Sequence, residues 1–307
     1  MVDPSPSASR HRLLALLVLA FLLSGCSIRN VAVNKLADTL SGGGDLFASD
    51  DDPELIRDAL PFALKTQEML LAEAPEHPGL LLATCKGFMT YSFGFVDLEA
   101  DYLELESYRA AEAQRQRAFR LYQRALGYCF RALELRWPGI EDRLRKDPEA
   151  VPTDAGPEDV EALYWTSLTW GALISRGRDQ PEVVVHLPAA KSLLELCLEL
   201  DEDWQRGSIH EGMITVEGLP ETMGGSEELA RRHFDRALEL NGDRRPGPYV
   251  TWAGSISLRN QDKNEFREML EKALALDPDE VPADRLTALV YQKRARFLLD
   301  QIDDLFL

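Results

Sequence analysis

The chain has 307 residues and a mass of 34.5 kDa, with 45% hydrophobic and 28% charged side chains. Its 34 Lys and Arg residues against 52 Asp and Glu residues give a formal net charge of −18 at pH 7. This balance argues against nucleic-acid binding and against adhesion to anionic lipid, because both depend on a basic surface. The composition does not indicate any particular reaction.

The N-terminus has the features of an export signal. Basic residues at positions 10–12 precede an apolar run over 13–23, which is too short to cross a bilayer, since about 20 residues are needed. The following residues, Leu23-Ser24-Gly25-Cys26, resemble the bacterial lipobox. We therefore predict a lipoprotein signal peptide over 1–25, with Cys26 lipidated through its thiol. The alternative is an ordinary signal peptide with a Cys there by chance.

The predicted mature chain is a single all-α domain over 26–307 that is anchored to the bacterial membrane in the periplasm. Ser27 follows the lipidated residue, where the usual inner-membrane retention signal has Asp, so the outer membrane is favoured. Three further cysteines remain, and an odd number cannot all pair within one chain. Cys129 and Cys197 lie in apolar helical stretches, so a buried free thiol is the default for both; a Cys85–Cys129 bridge is the alternative. No Cys or His spacing typical of zinc occurs, so we expect no metal and no cofactor.

Hydrophobic spacing predicts helices along the whole mature chain. Asp51 or Asp52 offers an N-cap before Pro53, and Pro61 marks a kink or a restart. The run of glycines at 42–44 ends a first short helix. Only residues 183–185 are a candidate strand, so the fold class is all-α with antiparallel helical hairpins. The predicted helices cover 31–40, 53–75, 78–98, 107–137, 163–174, 187–200, 229–240, 249–258, 266–276 and 286–306.

Four segments approximate the pattern of tetratricopeptide repeats, which place small or aromatic residues where two helices approach closely. They carry Ala, Cys, Leu or Phe at the corresponding positions, and the spacings between them are 65, 40 and 36 residues. We therefore expect degenerate tetratricopeptide-like repeats in a compact helical domain; generic helices rich in Ala and Leu are the alternative. The segments are Ala125-Cys129-Ala132, Ala190-Leu194-Cys197, Ala230-Phe234-Ala237 and Phe266-Leu270-Ala273.

Three blocks of sequence resemble one family. The first spans 52–65, the second includes Gly218-Leu219-Pro220 and Met223-Gly224-Gly225-Ser226, and the third spans 285–306. Together they identify the chain as similar to the TRAP-transporter-associated T component family (TatT), over essentially all of the mature chain. The Met-Gly-Gly-Ser block is the most specific element.

The resemblance implies a non-enzymatic accessory lipoprotein of a tripartite ATP-independent periplasmic (TRAP) transport system. It also implies a homo-oligomer, described as a trimer for the family, that binds the periplasmic solute-binding protein, a hydrophobic or organic-anion ligand, or both. One alternative is a tetratricopeptide scaffold for outer-membrane or pilus assembly. Another is a cell-wall hydrolase.

Motifs that could carry chemistry have plainer interpretations. His210-Glu211 begins like HExxH, but Ile214 replaces the second metal-binding His. Glu106-Ser107 resembles the Glu-Ser pair of lytic transglycosylases, but the sequence that should follow is missing and acidic neighbours indicate a solvated face. The segment Met223-Gly224-Gly225-Ser226 could cradle an anion, although we favour a tight turn in which Ser226 caps the next helix. We predict no catalytic residue.

Aromatic residues provide the remaining candidate site. Phe88, Tyr91 and Phe95, with Tyr102 further along, recur on one helical face. Trp165 and Trp170 are five residues apart and so do not share a face. Such residues are core in most helices; the alternative is the lining of a pocket or groove for a ligand or a partner.

Overall fold

A computed structural model describes residues 33–306, and these form helices joined by turns, with no strand among them. The predicted all-α class is confirmed. Signal peptide, lipobox and Cys26 lie outside the described residues. The helices are α1 (33–41), α2 (Gly44–Ala48), α3 (Pro53–Glu73), α4 (Pro78–Ser92), α5 (Leu98–Glu104), α6 (Tyr108–Arg136), α7 (Ile140–Lys146), α8 (Val160–Arg176), α9 (Pro181–Val184), α10 (Leu187–Leu200), α11 (Ser208–Glu217), α12 (Glu227–Asn241), α13 (Gly247–Trp252), α14 (Lys263–Ala275), α15 (Arg285–Asp300) and α16 (Ile302–Leu305).

Local capping signals set several helix boundaries. The Asp52 carboxylate accepts hydrogen bonds from the backbone N–H groups of Glu54 and Leu55, and Pro53 occupies the first position of α3. Ser107 caps α6 in the same way by accepting from the N–H of Ala110. These side chains satisfy N–H groups that have no partner within the helix.

The structure corrects several details of the predicted elements. The valines at 183–185 form no strand. The first two end the short helix α9 and the third is its C-cap, because Pro181 starts a helical turn there. Pro61 lies inside a continuous α3. The first helix ends before the glycines at 42–44, as predicted, and Gly44 then begins α2. The C-terminal helix divides at Gln301 into α15 and α16. Helices α2, α7, α9 and α11 were not predicted.

Consecutive long helices pack against one another along the chain. α4 packs on α6, α6 on α8, α8 on α10, and α11 on α12, while α14 packs on α15. Two large clusters of buried apolar side chains result, the first built mainly from α3 to α11 and the second from α11 to α16. The small and aromatic residues of the four repeat-like segments are mostly buried. The assignment of these helices to repeats stays a prediction.

One continuous stretch, Pro78–Glu104, is long and apolar enough by length and composition to cross a membrane, with a mean hydropathy of 1.2 over its best window. It comprises α4, a π-helical segment at Phe93–Asp97, and α5. Half of that window is buried inside the protein. Burial of this kind is typical of a core helix, so the stretch is weak evidence for a membrane span.

A disulfide links Cys85 of α4 to Cys129 of α6, with the two Cα atoms 5.0 Å apart. The default expectation of a free thiol at Cys129 is therefore wrong, and the alternative of a bridge between neighbouring helices is correct. Sequence alone could not show that α4 and α6 pack closely at this level. Cys197 is a buried free thiol, as expected, and burial raises its pKa to about 12.

Candidate ligand pocket

An open cavity of about 260 Å³ lies between α6, α7, α8 and the turn after α9. Trp170 of α8 forms its floor together with Phe130 of α6. The two rings meet edge to face with centroids 5.1 Å apart, a favourable geometry for aromatic pairs. Apolar side chains complete the wall, from Leu126, Leu173 and Val183. We call this cavity the Trp170 pocket.

A cationic side chain lies over the aromatic floor. The guanidinium carbon of Arg145 is 5.4 Å from the centroid of the Trp170 ring and 5.6 Å from that of Phe130. Its Nε and Nη2 both donate to Oε1 of Glu141, at 2.9 and 2.8 Å. Nη1 makes no hydrogen bond within residues 33–306 and remains available to a ligand. The Trp170 pocket therefore offers one hydrogen-bond donor, held over two aromatic rings that are themselves almost wholly buried.

His186 lies beside the same floor, with its ring centroid 5.5 Å from that of Trp170. Burial and the positive charge of Arg145 lower the pKa of His186, so the imidazole is neutral at pH 7. Its ring nitrogens make no hydrogen bond to the part of the chain that the structure describes. The exposed carboxylate of Glu182 stands at the rim. These groups can hold a small, mainly apolar molecule with one polar end.

Gly127 leaves one wall of the Trp170 pocket bare. It lies in the middle of α6, and a Cβ built there meets nothing within 4 Å. Glycine inside a helix is unfavourable by about 1 kcal/mol relative to alanine, so nothing in the helix itself calls for it. A larger side chain at this position would extend into the cavity.

The five aromatic residues predicted as a ligand or partner site all belong to the first apolar cluster or pack against it. Phe88, Tyr91 and Trp170 are buried, while Phe95 and Trp165 are half-buried. Phe88 stacks on Tyr128, and Tyr91 lies near Phe95 with centroids 6.3 Å apart. Only Trp170 lines the Trp170 pocket.

The residues that accompany Trp170 were missed by sequence reasoning. They come from three further helices and a turn, and no short motif connects Gly127, Phe130, Arg145 and His186. Arg145 lies on α7, which was not predicted. The signal that was present is the apolar spacing of α6 and α8, which places Phe130 and Trp170 on inward faces.

The segment Met223-Gly224-Gly225-Ser226 is a tight turn before α12. Gly224 has a positive φ of 85°, and a Cβ on Gly225 would lie 1.9 Å from the carbonyl oxygen of Leu219. Ser226 caps α12 by accepting from the N–H of Leu229. The N–H groups of residues 224–226 donate to Glu221, Pro220 and Glu217 carbonyls. The turn therefore uses internally the groups that an anion would need.

The other chemical motifs have structural roles. Nδ1 of His210 lies 2.8 Å from Nδ1 of His233, and burial is the main cause that lowers the pKa of both; that of His233 falls to about 4. Glu106 is exposed and Ser107 caps α6. Among the described residues, no group of three or more His, Cys, Asp or Glu side chains could hold a metal ion.

Fold and pocket together define an all-helical protein with an open cavity lined by aromatic, aliphatic and charged side chains. Residues 49–306 match the family model described as TRAP transporter T-component, so the chain belongs to that family. The family is an accessory part of a TRAP transport system and not a known family of enzymes. TRAP transporter components are generally periplasmic or membrane-associated in bacteria.

The chain is also similar to a protein of Treponema pallidum (strain Nichols) described as an uncharacterized protein. The two are 30% identical over 312 residues, which cover 93% of this chain and 94% of the relative. Similarity over nearly the whole of both chains indicates a shared fold from end to end.

Proposed function

We propose that this protein is a non-enzymatic accessory component of a TRAP transport system, anchored in the periplasm through lipidated Cys26, with the outer membrane favoured. It binds a small apolar or organic-anion ligand in the Trp170 pocket and associates with the periplasmic solute-binding protein. It works as a homo-oligomer, and its chemistry is binding without the making or breaking of covalent bonds.

The Trp170 pocket is the observation that supports this proposal. Leu126, Leu173 and Val183 give it an apolar part, and Arg145 Nη1 and the neutral His186 provide polar contacts. The carboxylates of Glu141 and Glu182 lie close by and disfavour ligands with several negative charges. We therefore expect a monoanionic or neutral ligand with a large apolar part.

The Cys85–Cys129 disulfide supports the proposed compartment. Both sulfur-bearing side chains are buried, at 0% and 1% exposure, so the bridge is a structural one. Structural disulfides form and persist in oxidising compartments such as the bacterial periplasm and are rare in the cytosol. The disulfide therefore supports the periplasmic location in this proposal.

A blocked pocket tests the ligand site. The Cβ of Gly127→Leu meets nothing within 4 Å and the substitution raises helix propensity, so we expect the fold to be retained. Binding of 1-anilinonaphthalene-8-sulfonate, an aromatic monoanion, is measured by dye fluorescence. We expect its Kd to rise at least tenfold in the variant.

Gly171→Leu is the matched control. Gly171 lies inside α8, has the same open space around a built Cβ, and does not line the Trp170 pocket. Its dye affinity should equal that of the wild type. Equal affinity of Gly127→Leu and the wild type would show that the ligand binds elsewhere. In parallel, in-cell crosslinking followed by mass spectrometry should recover a solute-binding protein with the lipoprotein; its absence argues against the transport role.

A further inference from the structure

The exposed charges of helix α6 have a single sign. Every charged side chain that is exposed on this helix belongs to an arginine, while its two glutamates are half-buried. The chain as a whole has the opposite balance, with a net charge of −18. Five of these arginines lie within about 80° of one another around the helix axis, at about 100° per residue, and they extend over about 33 Å. We call them the arginine ridge: Arg109, Arg117, Arg120, Arg124 and Arg131.

Aromatic rings hold three of these guanidinium groups in place. The guanidinium carbons lie 5.6, 5.0 and 5.4 Å from the ring centroids beneath them, with Arg117 over Tyr91, Arg124 over Phe88 and Arg131 over Tyr128. A guanidinium group stacked in this way keeps N–H donors at its edge for an anion. Its side chain is already ordered, so less entropy is lost on binding. Phe88 and Tyr91, predicted as candidates for a ligand or partner site, thus support this surface from below.

Most of the charge on the arginine ridge is not neutralised within the protein. Arg109 and Arg120 make no hydrogen bond or ion pair within residues 33–306. Arg117 and Arg131 donate to uncharged oxygen atoms, a tyrosine hydroxyl at 3.0 Å and a backbone carbonyl at 2.8 Å. Only Arg124 pairs with a carboxylate in the part of the chain that the structure describes. Four of the five positive charges are therefore available to an external anion.

The residues between the arginines favour a layer of phosphates over a protein partner. They carry no charge and no large apolar side chain where they are exposed, at Ala113, Gln116, Gln123 and Gly127. The centres of protein interfaces depend on aromatic and aliphatic side chains, and this face of α6 offers none. Arginine, in contrast, binds phosphate oxygens through pairs of parallel N–H groups. A straight row of arginines therefore suits the headgroups of a phospholipid bilayer.

The proposed lipid anchor begins close to the arginine ridge. Ala37 of α1 lies in a small apolar cluster, and Tyr128 and Ala132 of α6 pack against the same cluster. Seven residues lead from Cys26 to the start of α1, and an extended chain of that length spans at most about 25 Å. A lipid on Cys26 therefore keeps this end of α6 near a bilayer surface.

We propose that the arginine ridge docks on the anionic phospholipid headgroups of the membrane that holds the lipid anchor. The rest of the chain is strongly acidic and is repelled by the same headgroups, so the charge distribution selects this one face. Docking also brings the mouth of the Trp170 pocket beside the bilayer, because Gln123 and Gly127 line that pocket. The inference rests on the lipid anchor of the proposed function, which supplies a high effective concentration at the membrane.

Fluorescence quenching by labelled headgroups tests the docking. The lipidated protein carrying Ala113→Cys is labelled with bimane and placed on vesicles through its own anchor. The native cysteines do not react, because Cys197 is buried and the other two form the disulfide. The vesicles contain phosphatidylcholine with a nitroxide on the headgroup, with or without phosphatidylglycerol. We expect at least threefold stronger quenching on the anionic vesicles, and loss of this difference in 1 M salt, where the Debye length is about 3 Å.

Charge variants identify the arginine ridge as the contact. Arg109→Gln with Arg120→Gln removes two charges that have no partner among the described residues, and glutamine is a good helix former, so the fold should be retained. The extra quenching on anionic vesicles should fall at least threefold. Arg232→Gln with Lys272→Gln is the matched control. It removes the same charge from exposed positions on α12 and α14 and should leave the quenching unchanged.

The remaining outcomes each decide against the proposal. Equal quenching at Ala113 on both kinds of vesicle, or extra quenching that survives Arg109→Gln with Arg120→Gln, would overturn it. A label at the exposed Asp235 of α12 that is quenched as strongly as the one at Ala113 would show that no face is preferred. Equal quenching together with a photocrosslink from position 113 to a periplasmic protein would assign the ridge to an acidic protein partner instead.

The proposal and the proposed function fail separately. The mass of the purified protein shows whether Cys26 carries lipid. If it carries none, the same labels are measured with vesicles in excess, and the arginine ridge still predicts binding to the anionic vesicles alone. Dye binding by the Trp170 pocket does not depend on either result.

Discussion

Reduction of the Cys85–Cys129 disulfide should lower the free energy of unfolding by a predictable amount. The bridge closes a loop of 44 residues in the unfolded chain. In the chain-entropy model, such a loop loses about 13 cal/mol/K of conformational entropy, which corresponds to about 4 kcal/mol at 25 °C. Both sulfurs are buried, so in the native state the bridge is protected from reductant. The stabilisation itself arises mainly because the bridge restricts the unfolded chain.

Urea unfolding of the wild type, followed by circular dichroism with and without reductant, measures this difference. With a slope of roughly 3 kcal/mol/M, the midpoint should fall by about 1.3 M once the reduced chain has equilibrated. Cys197→Ala is the control, because its free thiol closes no loop and its reductant-induced shift should match that of the wild type. Identical midpoints in the oxidised and reduced protein would refute the reasoning.

Three further predictions concern the turn, pH and the anchor. Gly224→Ala should cost about 1–2 kcal/mol because of its positive φ, and Gly225→Ala more, because its Cβ would overlap the Leu219 carbonyl; wild-type thermal unfolding of both variants would contradict the turn. His233 has a pKa of about 4 in the folded chain, below the unfolded value near 6.5. Its contribution to stability is therefore complete above pH 6.5 and is lost as the pH drops toward 4. Allowing for solvent screening, the free energy of unfolding should fall by roughly 1–2 kcal/mol over that range. The urea midpoint of His233→Gln should fall less over that range, and an equal fall would exclude His233 as the cause. Cys26→Ser should yield an unprocessed precursor without lipid, and incorporation of labelled palmitate at the wild-type level would disprove lipidation at Cys26.

Signals that act within one helix were readable from the sequence. Asp52 with Pro53, and the stretch from Ser107 to Trp137, gave helix limits correct to within a residue or two, because capping depends on neighbours along the chain. The short helices α7 and α11 escaped notice. Seven to ten residues carry too few apolar repeats to define a period, and tertiary packing stabilises such helices more than their own propensity does.

Contacts between helices could be predicted from the sequence much less well. The Cys85–Cys129 bridge could only be offered as an alternative, because nothing in the sequence sets how α4 and α6 are aligned. The Trp170 pocket depends on the same kind of information, since Gly127, Arg145 and His186 come from separate elements. A missing side chain at Gly127 has no pattern that a periodicity analysis can detect.

From the sequence, a core position and a pocket-lining position are alternatives for Trp170, but in the structure this residue has both roles. Its ring is only 1% exposed and packs on Phe130, yet it also forms the floor of the Trp170 pocket. Trp170→Ala would therefore remove core packing, at about 3–5 kcal/mol, together with the binding surface, and its two effects could not be separated. Gly127 separates them, because a side chain added there fills the cavity and leaves the core untouched. Gly127 therefore tests ligand binding more directly than Trp170 does.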